Sequence, residues 1–87
     1  MIEDNKQLFG NIQRLVEAWC DRRCLRALSN ILRGYPLVSP LGDGWGVLLI
    51  ALQDVRAFAR DELTAEEFKV LEDCIRAVDT AVHRTRV

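Results

Sequence analysis

Two prolines, Pro36 and Pro40, stand near the middle of this 87-residue chain. Each fixes its own φ and lacks a backbone N–H, so no regular helix runs through Tyr35–Gly42. The chain must therefore be read as two halves joined by a connector. Both halves carry helical periodicity, and neither holds a period-two pattern longer than a few residues. These patterns predict an all-α fold, a small bundle of four helices arranged as two helical hairpins.

In the first half, Leu8, Ile12, Leu15 and Trp19 recur at four-three-four spacing. That is one stripe of a helix running from about Asn5 to Trp19, widened by Phe9 and Val16. Gly10 weakens this helix by up to about 1 kcal/mol relative to Ala. A second segment runs from about Arg22 to Arg33. Asp21 is its candidate N-cap, and Gly34 is placed to end it in a left-handed conformation ahead of Pro36. Its inward residues are expected to be Cys24, Ala27, Leu28, Ile31 and Leu32. If the first stripe continued unbroken, positions 22, 23 and 26 would be apolar, and all three are Arg. The stripe changes phase at Asp21, which places a turn there or a kink in one long helix.

In the second half, Asp43 is an N-cap candidate for a helix reaching about Asp61. Trp45, Leu48, Leu52, Val55 and Ala59 form its inward stripe. Val47, Leu49, Ile50 and Ala51 make its first half apolar nearly all round, the pattern of a central, buried helix. The last helix begins at Thr64, which forms a capping box with Glu67. Phe68, Leu71, Ile75, Val78 and Val82 then repeat at three-four spacing, and Glu72 with Arg76 is an expected i,i+4 pair.

Composition sets the scale. With 49% hydrophobic residues, the chain has material for one modest core, so residues 1–87 are read as a single domain. Its charges nearly cancel, to a net −1, which argues against a protein built to coat nucleic acid or an anionic membrane. The longest apolar-or-Gly run, Gly44–Leu52, is far short of the roughly 20 residues that span a bilayer. The opening Met1-Ile2-Glu3-Asp4-Asn5-Lys6 is polar and acidic, unlike a secretory signal, and the expectation is a cytoplasmic protein. In that compartment Cys20, Cys24 and Cys74 are expected to be free thiols, buried as small hydrophobes.

Four constellations hold the atoms that chemistry would need. Cys20, Cys24, Cys74 and His83 hold zinc-ligating atoms, but their spacing is not that of a structural zinc knuckle. Cys74 with His83 is the sole nucleophile–base option, and Cys74 flanks a core stripe. Gly42-Asp43-Gly44-Trp45-Gly46 has the look of a phosphate-cradling entry to a helix. It lacks the Lys and Ser/Thr such a loop needs, and its Asp would repel phosphate. Arg22, Arg23, Arg26 and Arg33 make the one basic cluster. A helix-turn-helix reading fails, because Gly44-Trp45-Gly46-Val47-Leu48-Leu49-Ile50 offers no polar side chain to base edges.

The expectation is thus a non-catalytic protein with no metal, cofactor or small-molecule substrate. It would work by contact with a protein partner, a second copy of itself first. The connector is too apolar for a solvated loop, and Tyr35, Leu37, Leu41 and Trp45 are the candidate contact residues, joined by Arg22 and Arg26. The alternative is a nucleic-acid-associated regulator using the Arg22, Arg23, Arg26 and Arg33 face on phosphates.

Overall fold

The computed structural model describes residues 4–35 and 42–85. These form four α-helices, α1 (Asn5–Asp21), α2 (Leu25–Ile31), α3 (Gly42–Phe58) and α4 (Ala65–Thr85), with a 3-10 turn at Arg60–Glu62 between α3 and α4. No strand occurs among the described residues. The all-α bundle expected from the periodicity is the fold.

Local chemistry explains each boundary. Asp4 opens α1 by accepting the Gln7 N–H at 2.7 Å, a cap that removes one unpaired donor of the first turn. The break after α1 falls where the stripe changes phase, so α1 and α2 are separate helices. Cys24 N–H donates to the Trp19 carbonyl at 2.8 Å and Arg23 N–H to the Cys20 carbonyl at 3.2 Å. This crossed pair is the Schellman arrangement, which needs a left-handed residue after the helix. Arg23 takes that position, with φ 56°. Gly34 does not, since no described glycine has positive φ. Asp21 also departs from its expected role. It is the last residue of α1, and α2 has Cys24 at its N-cap with no side chain of its own helix bonding there.

Gly34 serves packing instead. A Cβ at this position would meet the Val47 carbonyl oxygen at 2.7 Å, the Leu48 Cα at 2.8 Å and the Ala51 Cβ at 3.0 Å. The end of α2 therefore lies directly on the backbone of α3. At the other end of the pair, the Arg26 guanidinium reaches the Phe58 carbonyl at 3.4 Å. The two helices run antiparallel in contact.

α3 packs against α4 and α2, and α1 packs against the same two helices. Every predicted stripe residue of α1 and α3 is buried: Leu8, Ile12, Leu15 and Trp19, then Trp45, Leu48, Leu52, Val55 and Ala59. In α4, Leu71, Ile75 and Val78 are buried, with Phe68 and Val82 at the margin. The capping box forms as expected. Thr64 N–H donates to Glu67 Oε1 at 3.0 Å, and Glu67 N–H to Thr64 Oγ1 at 3.1 Å.

Several expectations are corrected. α3 ends at Phe58, and its start at Gly42 places Asp43 inside the first turn instead of at the cap. Its all-round apolar first half is not buried all round, because Val47 and Ile50 are exposed. Leu32 is exposed as well; it is the C-cap residue of α2, past the last residue held in the helix. Glu72 pairs across to Arg56 on α3 at 3.6 Å, while Arg76 pairs with Asp73 at 2.6 Å, so the expected Glu72–Arg76 pair does not form. Cys20 is exposed, unlike Cys24 and Cys74, since it lies about 100° round the helix from Trp19 and so off the stripe at the end of α1.

Candidate interaction surface

The basic cluster turns out to be a clasp within the molecule. Arg22 meets Glu67 in a two-pronged pair, with Nη1 to Oε2 and Nη2 to Oε1 both at 2.6 Å. Such fork-to-fork geometry is the strong form of an ion pair. The same carboxylate accepts the Trp19 indole N–H at 3.3 Å and the Thr64 N–H. Glu67 thus closes the α4 cap, satisfies the polar atom of a wholly buried tryptophan and holds the start of the α1–α2 turn. These donors set its protonation. Its carboxyl is held below the ordinary range, above all by the Arg22 hydrogen bonds, and Arg22 is raised in turn by Glu67.

A second clasp lies one turn along. Arg26 pairs with Asp61 at 2.5 Å, which lowers the Asp61 carboxyl, and approaches Glu62 at 3.7 Å. Glu62 Oε1 also accepts the Ala27 N–H at 2.8 Å. Ala27 is in the first turn of α2, so a residue from the 3-10 turn supplies the cap that α2 lacks. A carboxylate there also suits the positive end of the helix dipole. The Cys24 thiol donates to the Glu62 carbonyl at 3.6 Å. Two of the four arginines expected to face a partner are therefore engaged by carboxylates of the same chain. Arg23 and Arg33 make no side-chain ion pair among the described residues.

Of the apolar contact candidates, Trp45 is buried and stacked on Phe9, ring centroids 5.6 Å apart. Tyr35 is half-buried beside Phe9 and donates its hydroxyl to Gln13 Oε1 at 3.0 Å. Both belong to the seam between α1 and the α2–α3 pair. Leu37 and Leu41 lie outside the described residues.

The exposed apolar surface is elsewhere. Among the described residues, five large side chains stand well out of the core: Leu25 at 69%, Leu32 at 54%, Val47 at 45%, Ile50 at 59% and Phe58 at 64% of full exposure. All five lie on α2, on its C-cap residue Leu32, or on α3. Val47, Ile50 and Phe58, with Asp54 between them, recur at three-four-four spacing and share one face of α3. Leu25 and Leu32 flank the half-buried Leu28 on α2 at the same kind of spacing. Sequence reading missed these residues as a set, because the α3 pattern announces apolarity on every side without saying which side remains bare.

Burial pushes the Cys74 thiol up to about 12, well above the ordinary thiol range. His83 is exposed near the end of α4, with Nδ1 2.8 Å from the Asp79 carbonyl oxygen. No group of three or more His, Cys, Asp or Glu residues able to hold a metal ion occurs among the described residues. No described helix is long and apolar enough to cross a membrane. No protein-family model, curated protein or solved structure matches this chain.

Proposed function

We propose that this chain is a small helical protein that acts by contact instead of catalysis, and that the bare apolar face of α2 and α3 is its docking surface. One observation carries the reading: every strongly exposed large hydrophobic residue among those described belongs to these two helices or, as Leu32, caps the end of α2. Together these five residues expose on the order of 500 Å², and large exposed apolar surfaces on monomers are often functional. With a polar rim, that approaches the roughly 800 Å² each partner contributes to a standard interface.

The occupant we assign is a second copy of the chain. Two-fold dimers are the commonest soluble oligomers, and one self-complementary patch suffices to build them. Arg33, in the turn after α2, and Asp54, set among Val47, Ile50 and Phe58 on α3, make no ion pair among the described residues, so a two-fold arrangement has both signs available for crossed pairing. The nucleic-acid alternative draws less support, because Arg22 and Arg26 already hold carboxylates.

Sedimentation equilibrium decides the matter. Wild-type protein should sediment with twice its 9.9 kDa mass at high micromolar concentration. The Ile50→Glu, Phe58→Glu double variant should sediment as a monomer with unchanged helicity. A monomeric wild type overturns the proposal.

A further inference from the structure

At the junction between the 3-10 turn and α4 lies an open cleft of about 330 Å³, lined by Arg60, Leu63, Thr64, Ala65, Phe68 and Lys69. Its volume sits at the small end of the range for ligand sites. Two of its walls are cations and none is an acid.

Both cations are left over from the pairing of their surroundings. Arg60 is followed directly by Asp61 and Glu62, yet these hold Arg26 and the Ala27 N–H. Lys69 has Glu72 and Asp73 one turn ahead, and these hold Arg56 and Arg76. Glu67 is turned to Arg22 and Trp19. Glu66, the remaining carboxylate nearby, is exposed and does not line the cleft. Neither Arg60 nor Lys69 makes an ion pair among the described residues.

Arg60 is also held in place. Its guanidinium carbon lies over the Phe68 ring, 4.5 Å from the centroid. That stacking costs it no N–H donor, since the ring face offers charge density and not a lone pair. Beside these donors, Leu63, Ala65 and Phe68 make the rest of the wall apolar. A site of this composition fits a ligand with an anionic head and a compact apolar body. The head would meet Arg60 and Lys69, and the body would cover Leu63 and Phe68.

We propose that this cleft binds small aryl or alkyl anions, of the carboxylate or phosphate class, independently of the α2–α3 docking face. The probes are sodium benzoate, phenyl phosphate, acetate and inorganic phosphate, each titrated into the full-length protein and followed by backbone amide shifts in two-dimensional NMR. Benzoate or phenyl phosphate should shift the amides of residues 60–69 saturably, and which of the two binds tighter assigns the head group. Acetate and inorganic phosphate, lacking the apolar body, should bind at least about tenfold more weakly. The Arg60→Ala, Lys69→Ala double variant should lose at least about tenfold in affinity while keeping its helicity and its sedimentation behaviour. Absence of saturable shifts with both aryl anions overturns the proposal. So does equal binding by the double variant, or by inorganic phosphate and phenyl phosphate alike.

Discussion

Arg22 and Glu67 lie 45 residues apart in sequence and are joined by two hydrogen bonds of 2.6 Å. Glu67 is the more consequential partner, because Trp19 and Thr64 also depend on it. Removing Arg22 leaves those two donors served. Removing Glu67 strands the N–H of a fully buried indole and half of a capping box, a cost of about 2 kcal/mol or more. Glu67→Ala should therefore lower the urea midpoint clearly more than Arg22→Ala does.

The same carboxylate makes stability depend on pH. Glu67 and Asp61 both titrate below their ordinary values of 4.5 and 3.8 when folded, chiefly through Arg22 and Arg26. Depressed carboxyls stabilise fully above their unfolded pKa, and that contribution disappears as pH falls toward the folded one. The urea midpoint should hold from neutrality to about pH 5 and then drop as acid is added. In Glu67→Gln the acid-dependent drop should be smaller.

Arg23 occupies a left-handed position that glycine adopts without a Cβ clash. Arg23→Gly should stabilise the protein by up to about 1 kcal/mol, partly offset by the greater freedom glycine gives the unfolded chain. A rise in thermal midpoint with unchanged helicity would bear this out.

Two further glycines should respond in opposite directions. Around Gly10 nothing lies within 4 Å of an added Cβ, so Gly10→Ala should stabilise α1 by roughly 0.5–1 kcal/mol. Gly34→Ala forces a methyl into the backbone of α3 and should cost about 1–3 kcal/mol. Denaturant midpoints of the two variants, measured side by side, test both signs at once.

The three thiols should separate by reactivity. Cys20 is exposed, whereas Cys24 and Cys74 are buried. A thiol reagent at mildly alkaline pH should modify one cysteine per chain quickly, and mass mapping should place it at Cys20. The other two should react on the timescale of unfolding.

What could be read from the sequence was what neighbours along one helix determine. The α1 stripe, the α4 stripe and the Thr64–Glu67 box depend on residues three or four apart, and each appears as the spacing implies. The corner clasps were not legible. Nothing in Arg22-Arg23-x-x-Arg26 says that carboxylates some 35 to 45 residues later will meet two of the three. Gly34 was read through the commonest use of a glycine after a helix. Its actual use, contact with α3, becomes visible only when the two helices are brought together. The bare face was hidden by a different limit: a helix apolar on all sides carries no phase from which to read its solvent side.

The cap that Glu62 places on α2 has a consequence for the order in which structure can arise. α2 is seven residues long, below the length at which an isolated helix holds in water. Its first turn is closed by a side chain 35 residues downstream. During synthesis, then, α1 can become helical as soon as it emerges, while α2 has no partner for its first turn until the 3-10 turn has been made. A chain stopped at Tyr35 should give the helical signal of α1 alone. The third and fourth helices thus do more than pack against the first half: they complete the second helix.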